Sequence, residues 1–383
     1  MSGEEKPKKK WRRFVGITFS LILFAIFAYI ALALIAGNRP DFSWFTGLFS
    51  SGEPVQMADE FNFDVGREKV VADLGGSLAA AGTLGLQVLD INGAQTLREP
   101  LRVTNPAINA VNGRAIAFDI GGAAVRVFNE TQVLTSLEAD GEVVSASINR
   151  NGWFCVSTQE GSGLRGVATV YNDKGTAVYK VNLASGYVLS AVLSPDNKSL
   201  AVLNLTDNGS RITFYNGLNK QDPDNSFELA GGLILDIKYL SNGDLIAISA
   251  DSLFVINKNG TSSIMYEYFD KRLGAFSVYT GFIALHLLDH GVGYSGNLII
   301  LDEKGTLIGE LPTNREIISM SLGRGCLAVL LNNGLILYDM SLEELTLSGE
   351  NDSTAGASRV LALGSGAALA VGEYSAVIVR IDN

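Results

Sequence analysis

Short apolar runs rich in Val, Ile, Leu and Ala, broken by turns of Gly, Asn, Asp and Ser, recur from about residue 58 to the end of the chain. The stretch LSPDNKSLAV, residues 193–202, sets one hydrophilic turn between two such runs. Related hairpins follow the same pattern at AVNGRAIAF, INRNGWFCV, YLSNGDLIAI, YTGFIALHL, SLGRGCLAVL and LGSGAALAV. Downstream of each comes a second signature, an apolar residue or pair closed by Asp or Asn at Asp90, Asn129, Asn172, Asn216, Asn257, Asp302, Asp339 and Asp382. The intervals are 39, 43, 44, 41, 45, 37 and 43 residues. A period near forty built only from short strands is the mark of a radial β-array.

The chemistry of the closing turn explains its acid or amide. In Asp90-Ile-Asn-Gly93, Asn172-Asp-Lys-Gly175, Asn257-Lys-Asn-Gly260 and Asp302-Glu-Lys-Gly305 the first side chain can accept hydrogen bonds from the turn backbone. The glycine supplies the left-handed conformation that a bulged hairpin needs. One unit then reads as an inner strand VLSAVLS, a second SLAVLNL, a third RITFYN and an outer SFELA. Four strands per unit, repeated eight times, predict an all-β chain folded as an eight-bladed β-propeller over residues 58–383. The last unit stops after its third strand, and ADEFNFDV at 58–65 is a spare strand ahead of the first. Donating that strand to the last blade would join the chain ends and cover an open edge.

These motifs carry a family resemblance. SPDNKSLAV resembles the SPDGK-type hairpin of WD40-like and TolB-like propellers, and ILDEKGTLIGEL is similar to the repeat of quinoprotein-like propellers of the BamB type. The tryptophan that closes each quinoprotein repeat is missing, since Trp11, Trp44 and Trp153 are the only ones, and no cofactor is expected. Taken whole, the chain resembles uncharacterised membrane-anchored β-propellers of Gram-positive clostridial bacteria, which implies display outside the cytoplasmic membrane.

The N-terminal region departs from the repeat. Residues 1–13 hold six bases against two acids, a basic tail of net charge +4. Phe14 to Ala36 is an uncharged stretch of 23 residues, long enough to cross a bilayer as one helix. Basic residues favour the cytoplasmic side, so the expected topology is single-pass, with the tail cytoplasmic and the propeller extracytoplasmic. Ala31-Leu32-Ala33 also reads as a cleavage site, but the apolar stretch exceeds the usual signal-peptide length. Residues 37–57 form a juxtamembrane linker whose Phe42, Trp44, Phe45, Leu48 and Phe49 suit either a headgroup layer or packing on a propeller rim. The remaining 370 residues hold 23 bases and 38 acids, a net of −15, which excludes nucleic acid as a partner.

Candidate chemistry is sparse. His286 and His290 run off a strand into a loop, so they need not converge, and no metal is expected. TQEGSGLRG lies between strands rather than before a helix, which removes the phosphate-cradle reading. Inner strands such as VVSASIN and IISMSLG place small residues where catalytic acids would stand, and Asp236 with Lys238 reads as a mutual salt link. Cys155 and Cys326 lie in apolar strands four units apart, too far to pair. Connections between second and third strands are extended at 157–167, 204–211 and 286–297, and loops on a rigid frame are where binding specificity sits. The candidate partner-binding residues are therefore Gln159, Glu160, Arg165, Asp207, Arg211, Asp289, His290 and Tyr294. The expected function is a non-enzymatic, membrane-tethered protein-binding scaffold or ligand-sensing module facing a partner in the cell envelope. The alternative is a glycan-active or lactonase-like propeller hydrolase.

Overall fold

A computed structural model of the chain describes residues 60–383, except 160–165, 184–185, 292, 349–353, 355, 364–365, 374 and 382–383. The basic tail, the apolar stretch 14–36 and the linker 37–57 lie outside the described residues, within which no helix is long and apolar enough to cross a membrane. The described strands form eight antiparallel sheets, seven of four strands and one of five. Blades 1 to 8 span 70–100, 106–138, 142–182, 187–230, 234–267, 271–313, 317–345 and 359–381. The all-β, eight-bladed propeller expected from the repeat is the observed fold.

Each sheet is buried on both faces, and this sets the sequence pattern. In blade 4 Leu200 and Val202 pack toward blade 3 while Ala201 and Leu203 pack toward blade 5. Consecutive residues of one strand thus feed two different cores, which is why second strands read as continuous apolar runs rather than alternating ones. Eight such cores occur, one between each pair of neighbouring blades. Cys155 lies in the core between blades 3 and 4 and Cys326 in that between blades 7 and 8, and both are free thiols. Burial pushes both thiols up, away from the reactive range.

The closing turns follow their predicted chemistry. Asp90 Oδ1 accepts from the amides of Asn92 and Ala94 at 2.9 and 2.8 Å, and Asp302 Oδ1 from those of Lys304 and Thr306 at 2.9 and 2.7 Å. Gly93 and Gly305 sit at φ 81° and 80°, and a register shift follows in the ladder at Val88/Leu89 and Ile300/Leu301. Blade 7 makes the same turn with Leu342 at φ 66°, where burial of the side chain against the core between blades 6 and 7 offsets the strain.

Closure uses two separate pieces of chain. Strand Glu60–Asn62 pairs antiparallel with Ser375–Ile381 in the register Glu60↔Val377, Phe61↔Ala376 and Asn62↔Ser375. Further along the same edge Leu347–Ser348 pairs as Leu347↔Ile381 and Ser348↔Arg380, a contribution with no counterpart in the other blades. Phe61, Phe63 and Val65 continue inward into the core between blades 8 and 1. The N-terminal strand is therefore both an edge cover and a wedge between the first and last blades.

Inner strands are stitched across the channel side by short polar groups. Asn109 Nδ2 donates to the Ala146 carbonyl and Ser147 Oγ to the Ala191 carbonyl, each at 2.7 Å. Ser277 Oγ accepts from the Leu322 amide at 2.9 Å, and Ser319 Oγ from the Val360 amide at 3.2 Å. These four residues thus join neighbouring blades, whereas Ser145 and Ser190 on the inner strands of blades 3 and 4 do not. Phe61→Ala should remove about 3–5 kcal/mol of stability, the usual cost of emptying a buried phenylalanine site, measured by urea unfolding. Phe61→Leu should recover most of it, and an unchanged midpoint for Phe61→Ala would show that the wedge does not hold the ring.

Candidate functional site

Strands of a blade alternate in direction, so second-to-third turns and outer-to-next-inner connections emerge on one face of the ring. First-to-second and third-to-outer turns emerge on the other. The three stretches expected to carry long loops all belong to the first of these faces, but their local structures differ.

In blade 3 the second strand runs to Gln159 and the third starts at Gly166; Glu160 and Arg165 lie outside the described residues. The stretch 204–211, expected to be an extended loop, is instead strand. Ser199–Thr206 and Gly209–Asn216 keep their ladder to the last pair, Thr206↔Gly209, and only Asp207 and Asn208 form the turn. The reason is local: Thr206 Oγ1 donates to the Gly209 carbonyl at 3.0 Å, and Gly209 adopts φ 123°, so an Asp-Asn tip followed by glycine closes a two-residue hairpin. Extra length in blade 4 becomes a stiff ribbon rather than a flexible loop. In blade 6 the second strand, Phe282–Asp289, extends past His286, and the third starts at Gly296.

Register links Gln159 to Arg211. Gln159 pairs with Gly166, whose missing side chain admits Val188: a Cβ there would lie 2.7 Å from the Val188 Cβ. Val188 pairs with Asn204, and Asn204 with Arg211. Above this row Gly186, Thr206, Asp207, Asn208 and Arg211 line a recess of about 260 Å³. Arg211 is engaged there with Glu228 at 2.6 Å, an exposed pair of little energetic weight. Below it, Ser145 Oγ, Ser157 Oγ and Gln159 Nε2 are buried without a hydrogen-bond partner on the side of blade 3 that faces blade 4. Gln159, Asp207 and Arg211 thus belong to one polar cleft between blades 3 and 4.

Asp289, His290 and Tyr294 form a separate group two blades further on. Lys271 Nζ binds Asp289, whose other oxygen accepts from Ser295 Oγ at 2.7 Å; both donors hold the carboxyl below the usual carboxylate range. Tyr294 donates to Glu316, and that carboxylate pushes the phenol up. His290 is exposed, whereas His286 is buried on the opposite strand position to Ala275, so the two imidazoles do not converge. Among the described residues no group of three or more His, Cys, Asp or Glu side chains is placed to hold a metal. Asp236 and Lys238 face each other at 3.6 Å in the channel strand of blade 5, the salt link their spacing suggested.

The same face also carries apolar residues that no polar motif marks: Tyr187, Leu233, Leu235, Phe269 and Ile318 are large and exposed. Their signal is present in the sequence. Inner strands of blades 4, 5 and 7 carry two adjacent apolar residues before a polar one, Val188-Leu189-Ser190, Ile234-Leu235-Asp236 and Ile317-Ile318-Ser319, which breaks strict alternation.

Residues 53–353, which take in the closing strand and all of blades 1 to 7, match the model of a family described as DUF5711, of unknown function. The chain belongs to DUF5711. No curated protein matches its sequence. The DUF5711 propeller superposes on Sqt1 of Saccharomyces cerevisiae with a TM-score of 0.61 at 11% identity, covering 85% of this chain and 99% of that one. The C-terminal WD40 domain of Sif2 gives 0.59 at 14% identity over 84% and 99% of the two chains. BamB of Moraxella catarrhalis gives 0.54 at 13% over 85% and 99%. At these identities the DUF5711 chain shares the propeller fold with WD40 and BamB proteins, and the likeness extends to the fold alone.

Burial, followed by the nearby Arg272 guanidinium, lowers the His286 pKa to about 4, so the native ring holds this imidazole neutral. An unfolded histidine binds a proton below pH about 6.5. Between those values the unfolded state binds more protons, and stability falls as pH drops through the window. His286→Leu should therefore flatten the loss of the urea midpoint between pH 7 and 4.5 relative to the native chain. Parallel curves for native and His286→Leu would contradict the buried neutral state.

Proposed function

We propose that this DUF5711 chain is a non-enzymatic scaffold, tethered by the apolar stretch 14–36 and displaying its propeller on the outer side of the cytoplasmic membrane to a protein partner of the cell envelope. The observation that carries this reading is the placement of Gln159, Asp207, Arg211, Asp289 and Tyr294, from three blades, on one face of a closed ring. Glu160 and Arg165 belong to the same sequence stretch as Gln159 and are included in the proposed surface. A stiff frame holds such groups at fixed separations, so a partner meets them without ordering them first. Similarity in fold to WD40 and BamB propellers is consistent with a protein-binding role. The non-enzymatic reading is supported by Asn109, Ser147, Ser277 and Ser319 of the channel strands, which are used in blade-to-blade hydrogen bonds.

Two measurements on the full chain test this. Protease added to intact protoplasts should degrade the propeller and spare residues 1–13; a protected propeller would reverse the proposed topology. Replacing 160–165 and 290–295 by Asn-Gly turns should leave the unfolding free energy within about 0.5 kcal/mol of the native value. The same variant should lose at least tenfold in partner recovered from solubilised membranes. Undiminished recovery of the same partner would place the binding surface elsewhere.

A further inference from the structure

The inner strands of blades 3 to 7 share a defect. Each has a register shift near its start, at Val143/Ser145, Val188/Ser190, Ile234/Asp236, Leu273/Ala275 and Ile317/Ser319. A bulge inserts one residue and re-aims its side chain. In a closed ring an inner strand has a neighbouring blade on either side, so an exposed inserted residue can face only the channel and its mouth. Leu235 and Ile318, the inserted residues of blades 5 and 7, are 46% and 45% exposed. Blade 6 has Gly274 at the equivalent position, where a Cβ would lie 2.8 Å from Leu288 Cδ1 and 3.0 Å from His286 Nδ1, so it adds no apolar side chain between them. Tyr187, Leu233 and Phe269, at or just before the starts of the inner strands of blades 4, 5 and 6, are 52%, 42% and 77% exposed on the same mouth. With Tyr294, six of the twelve large exposed apolar side chains among the described residues lie on this one face over blades 4 to 7.

Carboxylates border this crescent. Glu142, Asp207, Asp251 and Asp270 are exposed at the loop-face ends of blades 3 to 6, and their side chains make no hydrogen bond or ion pair among the described residues. Of the neighbouring bases, Arg211 is spent on Glu228 and Lys271 on Asp289, with Arg272 and Arg315 the exposed exceptions. An apolar surface bordered by unpaired negative charge calls for an occupant that is apolar on one side and positive at its margins. We infer that the bulge-built crescent over blades 4 to 7 seats a basic amphipathic segment of a protein partner, with its apolar face on Leu235 and Ile318 and its Lys or Arg side chains on the bordering carboxylates. This rests on the scaffold reading above and names the chemistry of its partner. An anionic lipid surface fits less well, because its headgroups would face the same carboxylates.

The test uses the full chain in a nonionic detergent and three photoreactive 18-residue peptides built from Leu/Lys, Leu/Glu and Ser/Lys. The Leu/Lys peptide should crosslink to the segments around Tyr187, Leu235, Phe269 and Ile318. The other two should give at least tenfold less. The double variant Leu235→Ser/Ile318→Ser, exposed at both sites and so expected to keep its unfolding midpoint, should lose those crosslinks at least tenfold. A second variant, Glu142→Gln/Asp207→Asn/Asp251→Asn/Asp270→Asn, should weaken them and remove their dependence on salt between 50 and 300 mM. Crosslinks that persist in both variants, equal capture of the Leu/Glu peptide, or displacement of the peptide by phosphatidylglycerol but not phosphatidylcholine added to the detergent would overturn the inference. Failure here with continued loop-dependent partner recovery would leave the scaffold reading standing. Crescent crosslinks with loop-independent recovery would instead remove the loops from that reading.

Discussion

Everything in this propeller depends on closing the ring, and closure is made by a strand drawn from the opposite end of the sequence. No blade can bury its own faces, because each sheet presents apolar side chains on both sides. An open array would expose one face of blade 1, one face of blade 8 and the edge of Ser375–Ile381 at once. Glu60–Asn62 covers part of that edge, and Phe61, Phe63 and Val65 fill the junction between the two terminal blades. Leu347–Ser348 secures the remaining end of the same strand. A long-range contact of this kind costs loop entropy, which the buried aromatic wedge offsets.

Closure also decides what the channel and its mouth can do. Once blades are held in a circle, inner strands lie within hydrogen-bond reach of one another, and Asn109, Ser147, Ser277 and Ser319 use that proximity. Of the residues inserted by the bulges, Leu235 and Ile318 are exposed at the mouth, while Val144 and Leu189 fold back against the cores between blades. The polar cleft between blades 3 and 4 has a related origin. Gly166 lets the inner strand of blade 4 approach, and the stiff ribbon ending at Asp207 and Asn208 rises beside it. Gln159, Arg211 and Asp289 on this face are therefore positioned by strands.

Local chemistry was legible in the sequence where one residue type performs one backbone task. Asp or Asn at the closing turn, glycine three residues later and the Ser-Pro-Asp-Asn hairpin identified blade count and strand order, with Asn197 taking the left-handed conformation at φ 60°. Legibility failed where tertiary pairing overrode local pattern. Residues 204–211 have loop-like composition, yet the ladder runs through them because a two-residue turn suffices. His286 reads with His290 as running off a strand into a loop, but its strand runs on to Asp289 and buries it. Bulges in inner strands leave only a doubled apolar residue as a trace, and the pairing of Leu347–Ser348 leaves none, since two residues carry no period.

The candidate surface inherits its rigidity from the closed ring, so the state of the last blade's edge is the point on which the account turns. Hydrogen–deuterium exchange of the peptide covering 375–381 measures that edge directly. In the full chain its amides should be protected to within about tenfold of those in Ala367–Val371, the fully buried neighbouring strand. In a chain lacking residues 58–65 protection of 375–381 should fall by at least a hundredfold, with 367–371 affected less. Equal and slow exchange of 375–381 in both chains would contradict closure by the N-terminal strand.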